Sequence, residues 1–320
     1  MIRQVIGFDA YAWMVTDPQT SVGSSPLADV PCLPELPRMI GLKYQTAINR
    51  WTSLPRGAVS LAGATGGDLS RSLIWRELLC RYQVSDVASA VYRDRFGCWG
   101  FLELWRTQAS AFPAADIEFL DQIAGPVTAA LRYSQARAFA PGTAAEPLPA
   151  GPVVLLLSAA LDVRAQTPQT QQYLRILVPR DEQDQPPVPS SAYNVAAQLL
   201  ATEAGVSDNP PLARVHLASG RWLTLRAARM GTTQPARDRD IAVSIEPAAP
   251  DDRVSVFARA SGLTPRETEL LHHLVTGAST QDITGHMVLS EHTVQDHLKS
   301  IFAKTATRNR RTLLARALGT

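Results

Sequence analysis

Two proline-rich segments constrain the fold of this chain most, because they divide it into three blocks. The first is APGTAAEPLP at 140–149, and the second is EPAAPDD at 246–252. Proline lacks a backbone N–H and restricts the residue before it, so such segments suit linkers better than helix interiors or central strands. The predicted organisation is a domain at 1–139, a linker at 140–150, a domain at 151–247, a linker at 248–260 and a domain at 261–320.

Composition indicates that the blocks are folded. Apolar residues make up 45% of the 320 residues and charged residues 19%, which is enough apolar material for packed cores and excludes general disorder. No apolar run is long enough for a membrane-spanning helix, and no signal peptide is evident at the start. The three cysteines form no CxxC pair, so neither a disulfide framework nor a zinc site is expected. We expect a cytoplasmic protein with no membrane partner.

Positive charge is concentrated at the C-terminus. Residues 1–250 carry 22 basic and 22 acidic side chains, whereas 251–320 carry 9 basic and 7 acidic ones. From His297 to Arg316 there are six basic residues and no acidic residue. Only 3 of the 31 basic residues are lysines. The near-neutral total therefore conceals a short cationic segment that could face nucleic acid.

The first two blocks both have mixed α+β patterns. In the first, strand-like runs at 8–16, 87–92 and 99–105 accompany helical patterns at 70–82 and 115–137, with a hairpin turn at 94–97. The second block predicts a five-stranded sheet with short helices on one face. Its predicted strands lie at 153–158, 163–166, 214–217, 222–227 and 241–246, its helices at 169–177 and 193–204, and a turn at 219–220.

The third block predicts four short helices. Thr264-Pro265-Arg266-Glu267 is a capping box with proline at the first helical position, and Gly277 is expected to end that helix. Ser279, Ser290 and Asn309 are the predicted N-caps of the next three helices. The third helix has Val294, Leu298, Ile301 and Phe302 on one face, which is expected to be buried.

Motifs in this block resemble the LuxR/GerE-type helix-turn-helix. They are LTPRE at 263–267, VTG at 275–277, LSEHTVQDHLKSIFAK at 289–304 and RNR at 308–310. Three positions depart from the usual pattern, because Thr284 replaces a common Ala, Met287 a common Leu, and Ala306 a common Gly at the end of the third helix. The resemblance implies that the third helix enters the major groove of duplex DNA.

The outward side chains of that helix suit DNA recognition. Gln can pair with adenine, Asp can accept from cytosine, and Lys can donate to guanine or phosphate. By resemblance, Gln295, Asp296 and Lys299 would contact bases, although Asp296 could equally pair with Lys299. The full predicted DNA-binding set is Ser290, Thr293, Gln295, Asp296, Lys299, Lys304, Arg308 and Arg310.

The histidines do not predict a metal site. Five of the six lie after residue 270, but they have no cysteine or acidic partners at ligand spacing. His297 is expected to pack or to contact backbone. His216 is the one histidine before residue 270, and a solvent-facing strand position is favoured over a haem ligand. No metal and no cofactor are expected.

The first block resembles a GAF domain and the second, less extensively, a PAS domain. The GAF resemblance is carried by FDAY at 8–11, RDRFG at 93–97 leading into WGFL, and FPAADIEFL at 112–120. The PAS resemblance is carried by GPVVLL at 151–156, LDVR at 161–164 and GRWL at 220–223. The fold class is therefore multidomain: an α+β GAF-like domain, an α+β PAS-like domain and an all-α four-helix LuxR-type domain. An initial GAF helix is short or missing.

Such sensory domains hold small ligands in apolar pockets or serve only to dimerise. Tyr11, Trp13, Trp99 and Phe101 are candidate lining residues for a pocket that takes an unidentified small molecule. No cysteine is directly followed by a histidine, which disfavours a covalently attached bilin. The acidic pattern of a phosphorylated receiver domain is also absent.

These features favour a one-component transcription regulator that senses a small-molecule or protein signal and binds promoter DNA as a homodimer. RNA polymerase is a candidate further partner. One alternative is a quorum-sensing regulator of the acyl-homoserine-lactone type. Another is an enzyme with an accessory DNA-binding tail, although the chain has no GxSxG, HExxH or P-loop motif, so no enzymatic activity is expected.

Overall fold

The computed structural model describes residues 2–108, 110–140, 151–177, 190–217, 221–231 and 239–319. The predicted linker at 140–150 falls almost wholly outside these residues, as does the predicted turn at 219–220. The described chain forms two compact units. The first contains both β-sheets, and the second contains the end of one long helix, the tip of one hairpin and the C-terminal helices.

The first sheet is antiparallel and has five strands in the order β2-β1-β5-β4-β3. Strands β4 and β5 have 11 residues each, and both faces of each strand are buried along most of its length. The strands are β1 (Ala10–Thr16), β2 (Gly23–Asp29), β3 (Gly57–Ser60), β4 (Val84–Asp94) and β5 (Gly97–Thr107). The helices are α1 (Leu36–Gln45), α2 (Leu61–Thr65), α3 (Leu73–Glu77) and α4 (Ala114–Arg137).

Several sequence predictions for this region are confirmed, and one is wrong. The strands and hairpin and the long helix α4 lie where predicted, but the helix predicted at 70–82 is interrupted. It consists of a 3-10 turn at Leu69–Arg71, the short α3, and a second 3-10 turn at Leu79–Tyr82. Ser72 adopts an extended conformation between the first two pieces, which interrupts the helical backbone, and Ile74 and Leu78 after it are both buried in the core. Helices α1 and α2 and strands β2 and β3 were not predicted.

The second sheet is also five-stranded, as predicted, with the order β7-β6-β10-β9-β8. Its neighbouring strands β6 and β10 pair antiparallel through Leu155–Val243 and adjacent positions. The strands are β6 (Val154–Leu157), β7 (Val163–Gln166), β8 (Leu212–His216), β9 (Trp222–Arg229) and β10 (Ile241–Pro247). The helices are α5 (Thr170–Leu177) and α6 (Ser190–Glu203).

Both sheets belong to one compact unit, and a buried ion pair joins them. Arg214 of β8 donates from Nε to Asp17 Oδ2 at 2.6 Å and from Nη2 to Asp17 Oδ1 at 2.8 Å. Asp17 is 0% exposed and also accepts from the backbone N–H groups of Gln19, Thr20 and Arg214. A carboxylate buried this completely is tolerated because its oxygens are satisfied by charged and neutral donors. Helix α6 packs on α1 and β2.

The described part of the second unit is helical apart from residues of a hairpin. Its helices are α7 (Pro250–Ala260), α8 (Pro265–Val275), α9 (Thr280–Met287), α10 (Glu291–Thr305) and α11 (Arg310–Leu318). The last four are the helices predicted from the caps. Helix α7 occupies the segment expected to be a linker at 248–260. Pro250 stands at its first turn, where a missing N–H costs nothing, and Asp251 and Asp252 suit the positive end of the helix dipole.

An aromatic cluster lies at the start of this unit. Phe139 stacks on Trp222 at 4.8 Å between ring centroids and meets Phe257 of α7 edge-on at 5.2 Å. Arg253 lies 4.9 Å above the Phe139 ring. His216 packs on Trp222 at 5.2 Å and is half-buried, so the expectation of a solvent-facing histidine is wrong. Burial, followed by the nearby charge of Arg253, lowers the pKa of His216 and favours its neutral form.

No helix in the described part of the chain is both long enough and apolar enough to cross a membrane.

Candidate nucleic-acid interface

Helices α9 and α10, with the turn between them, form the helix-turn-helix. Helix α9 begins at Ser279, whose hydroxyl and Asp282 form a reciprocal capping box, and the chain turns at Val288 with φ 54°. Helix α10 then begins at Ser290, whose Oγ accepts from the backbone N–H of Thr293 at 3.1 Å. The predicted caps therefore set where both helices begin.

The far end of α10 is also where the sequence places it. Ala306 stands at the C-cap with φ 49°, in the left-handed region that glycine commonly occupies. Its N–H donates to the carbonyl of Ala303, and Thr307 N–H donates to Phe302. The departure from glycine at this position therefore leaves the helix ending intact.

One face of α10 anchors the helix in its own domain. Val294 and Ile301 are 0% exposed, and Leu298 and Phe302 are half-buried, as the periodicity predicts. Ile283 and Met287 of α9 are buried as well. The orientation of α10 is therefore fixed by apolar packing, which leaves its opposite face free for contacts.

That opposite face carries the three predicted base-contacting residues. Gln295 is exposed, and the side chains of Asp296 and Lys299 are 54% and 73% exposed. Lys299 Nζ donates to Asp296 Oδ1 at 3.2 Å, which is the pairing that the sequence left open as an alternative. His292, which sequence reasoning did not select, lies 3.4 Å from the other oxygen of Asp296. Its spacing of four residues before Asp296 was the available signal.

Lys304, by contrast, is paired with a residue of its own domain. Its Nζ donates to both oxygens of Glu267 at 2.6 and 2.8 Å, and Ser300 Oγ donates to the same carboxylate at 2.6 Å. Glu267 is 3% exposed and also accepts from the backbone N–H of Thr264 at 2.7 Å. These contacts join the start of α8 to α10. The ammonium group of Lys304 would therefore have to be shared between Glu267 and the predicted phosphate contact.

The acidity of Glu267 reflects these contacts. Burial by itself raises the pKa of Glu267, but hydrogen bonds from Lys304, Ser300 and Thr264 outweigh burial and lower the pKa to about 2. The carboxylate is thus ionised throughout the physiological range. It therefore holds the partly exposed cation of Lys304 in an ion pair.

The other residues predicted to contact DNA differ in their exposure and in their hydrogen bonds within the protein. Arg308 is exposed, whereas Arg310 is half-buried and donates from Nη2 to the carbonyl of Ala278 at 2.7 Å. Ser290 and Thr293 lie together at the start of α10, with 2.8 Å between their hydroxyl oxygens. A helix start and a free guanidinium can both take phosphate oxygens, so Ser290, Thr293 and Arg308 retain that capacity.

Two of the histidines near these helices pack against each other. His273 and His286 stack with 5.3 Å between ring centroids, and His286 Nδ1 lies 2.7 Å from the carbonyl oxygen of Asp282. His297 is half-buried. Among the described residues no group of three or more His, Cys, Asp or Glu side chains is arranged to hold a metal ion.

The four aromatic residues predicted to line a ligand pocket do not share one face of the first sheet. Trp13 pairs with Leu102, and Met14 pairs with Phe101, so the pleat directs Tyr11 and Trp13 to the face opposite Phe101. Trp13 packs on Tyr92 at 5.3 Å, whereas Phe101 stacks on Trp51 at 5.5 Å. The two pairs belong to different packing layers and do not enclose a common pocket.

Comparison with known proteins identifies the C-terminal segment. Residues 261–317 match the GerE family model, described as bacterial regulatory proteins of the luxR family. No curated protein matches the chain. A crystal structure of a phage VqmA–DPO complex aligns with 52% of this chain and 81% of its own at 17% identity, with a TM-score of 0.22, which is too low to establish a common fold. The predicted LuxR-type helix-turn-helix is therefore confirmed for residues 261–317.

Proposed function

We propose that this protein is a one-component transcription regulator that binds promoter DNA through α10. The observation that carries the proposal is that α10, in a segment matching the luxR family model, has one buried apolar face and one exposed polar face. Its apolar face is buried at Val294 and Ile301, and its opposite face exposes Gln295, Asp296 and Lys299. These side-chain types can read base edges in the major groove.

The rest of the proposal concerns the signal and the assembly. A single helix-turn-helix offers few base contacts, so the regulator binds as a homodimer on two half-sites. The two-sheet unit, with its GAF-like and PAS-like segments, receives a small-molecule or protein signal and shifts the population of DNA-competent states. The protein acts in the cytoplasm, where it meets the chromosome and RNA polymerase.

Selection of binding sites from random duplex DNA, followed by fluorescence anisotropy, tests DNA binding. We expect a preferred sequence and an affinity that falls steeply as salt rises, because phosphate contacts release counterions. Native mass spectrometry of the same preparation reports the oligomeric state and any retained ligand. Equal binding to all duplexes, or no binding at low salt, would overturn the proposal.

Single substitutions separate base contacts from phosphate contacts. Lys299→Ala should cost about 1–3 kcal/mol on the selected sequence and reduce discrimination against mismatched sequences. Arg308→Ala should weaken all DNA similarly and reduce the salt slope by about one. Arg38→Ala is the matched control, because it removes an exposed cation from α1 of the other unit and should leave DNA binding unchanged.

A further inference from the structure

One side chain on the exposed face of α10 carries a charge that DNA phosphates repel. Asp296 lies in the middle of this helix, on the side opposite the buried Val294 and Ile301, and 54% of its side chain is exposed. Duplex DNA carries one negative charge about every 1.7 Å along its axis, so a carboxylate on a DNA-facing helix is repelled by every duplex. The repulsion has to be offset by an interaction that only some sequences provide.

Two basic side chains of the same helix flank this carboxylate. Lys299 Nζ donates to Asp296 Oδ1 at 3.2 Å, and His292 Nε2 lies 3.4 Å from Asp296 Oδ2. The intervals of four and three residues place all three side chains along one line of the helix surface. The side chains of Lys299 and His292 are 73% and 85% exposed, so these groups are accessible to a macromolecule as well as to water.

The pair between Asp296 and Lys299 can be exchanged for contacts with DNA. An exposed ion pair contributes little to stability, because water and salt screen it. A phosphate oxygen can therefore take Lys299 from Asp296, and so can the O6 and N7 atoms of guanine. The two exchanges differ in what happens to Asp296. Beside a phosphate its carboxylate is left repelled, whereas the N4 amino group of a cytosine can donate to it.

We propose that Asp296 is a specificity-determining residue that competes with DNA phosphates for Lys299 and so suppresses binding to duplexes that lack the preferred sequence. On such a duplex, Lys299 reaches a phosphate only by leaving Asp296, whose carboxylate then faces the DNA backbone. On the preferred sequence, Lys299 donates to guanine and Asp296 accepts from cytosine, so both charges are compensated. The inference rests on the proposed function and assigns the sign of one contact within it.

The dimensions of the helix permit both contacts at once. Residues three apart rise about 4.5 Å along an α-helix, and neighbouring base pairs are about 3.4 Å apart. A helix that lies along the major groove can therefore bring Asp296 and Lys299 to adjacent base pairs. The preferred half-site should accordingly present a cytosine amino group and a guanine at neighbouring positions.

Replacement of the carboxylate by its neutral isostere tests the role of Asp296. Asp296→Asn should raise the affinity for a duplex of scrambled sequence about tenfold, because it frees Lys299 for phosphate and removes a repelled charge. The affinity for the selected duplex should change by less than about threefold, because a weaker contact to cytosine offsets that gain. Fluorescence anisotropy with the full chain measures both affinities. An equal change on the two duplexes, including no change on either, would overturn the proposal.

Glu291→Gln is the matched control. It removes an equal charge from an exposed position in the first turn of the same helix. It should change the two affinities by the same factor and leave their ratio as it is in the wild type. A loss of discrimination as large as that of Asp296→Asn would show that the total charge of the helix sets the ratio, which contradicts the proposal.

A double-mutant cycle tests whether Asp296 acts through Lys299. In a Lys299→Ala background, Asp296→Asn should raise the affinity for the scrambled duplex by no more than about threefold, because no lysine is freed. The salt dependence gives a second readout. Asp296→Asn alone should steepen its slope by about one for each Lys299 that gains a phosphate, and Lys299→Ala should abolish this change. A tenfold gain that persists without Lys299 would exclude the pairing as the cause.

The inference and the proposed function fail in different ways. A wild-type protein that prefers no DNA sequence removes both. A wild-type protein with a clear preference that Asp296→Asn leaves intact keeps the regulator and removes only the role of Asp296.

Discussion

The sheet unit and the helix-turn-helix domain each bury a carboxylate that pairs with a basic side chain. The two regions differ in how far apart along the chain the two partners lie. Asp17 and Arg214 are 197 residues apart, and both side chains are almost completely buried. Glu267 and Lys304 are 37 residues apart, and the lysine side chain remains 33% exposed. The sheet unit thus contains a buried ion pair between residues far apart in sequence. In the helical domain, the carboxylate belongs to a local capping box and its lysine partner is partly exposed to solvent.

The largest expected effect tests the distant pair. Asp17→Asn should lower the free energy of unfolding by about 3–5 kcal/mol, because the buried Arg214 loses the charge of Asp17 and its ion pair at 2.6 Å. Urea denaturation measures it. Asp29→Asn, at an exposed position on β2, is the control and should change stability by less than about 0.5 kcal/mol. If Asp17→Asn behaves like the control, the pair does not stabilise the unit.

The local pair should contribute less. Glu267→Gln should cost about 2 kcal/mol, because hydrogen bonds to a charged group are weakened or lost at Lys304, Ser300 and Thr264. Glu269→Gln, an exposed position on the same helix, is the matched control and should be nearly silent. A cost equal to that of Asp17→Asn would remove the contrast between the two regions.

The stability difference between wild type and Glu267→Gln should also depend on pH. The pKa of Glu267 is lowered from 4.5 to about 2, so its stabilisation is fully present above pH 4.5 and is lost as pH falls toward 2. Thermal melts of both proteins at several pH values measure this double difference. A difference that stays constant on acidification would show that the carboxylate charge is not what stabilises the domain.

The smallest expected effect is a gain in stability at the turn of the helix-turn-helix. Val288 has φ 54° and is 87% exposed, so its β-branched side chain is strained without contributing packing. Val288→Gly should stabilise the protein by about 1 kcal/mol. Ala303→Gly, in the exposed last turn of α10, should instead destabilise by about 0.5 kcal/mol. Destabilisation by both would mean that the turn is not strained.

The same contrast explains which parts of the fold could be predicted. Helices α8 to α11 follow from signals a few residues apart, such as Thr264 with Glu267 and Ser279 with Asp282. Their buried and exposed faces follow from the helical period. Sequence reasoning nevertheless treated Lys304 as a free cation, because its partner Glu267 had already been assigned to the capping box.

The sheet unit offered weaker signals. Strand β2 contains Pro26 and a run of small residues, so its sequence does not resemble a strand, and it forms by pairing with β1. The aromatic residues were selected by type, but strand register decides which face each one joins. Lys43 of α1 and Glu103 of β5 could have been noticed as single charges within apolar runs. Their buried ion pair, however, depends on contacts between distant segments.

The scarcity of lysine has a practical consequence for studying this protein. Of its three lysines, Lys43 is buried, Lys304 is paired with Glu267, and Lys299 projects from α10 with 73% of its side chain exposed. Acylating reagents need an accessible, deprotonated amine, so Lys299 is the lysine that they should modify first. A dye or crosslinker could therefore be placed on α10 without engineering, and protection of the Lys299 amine would report directly on what covers it.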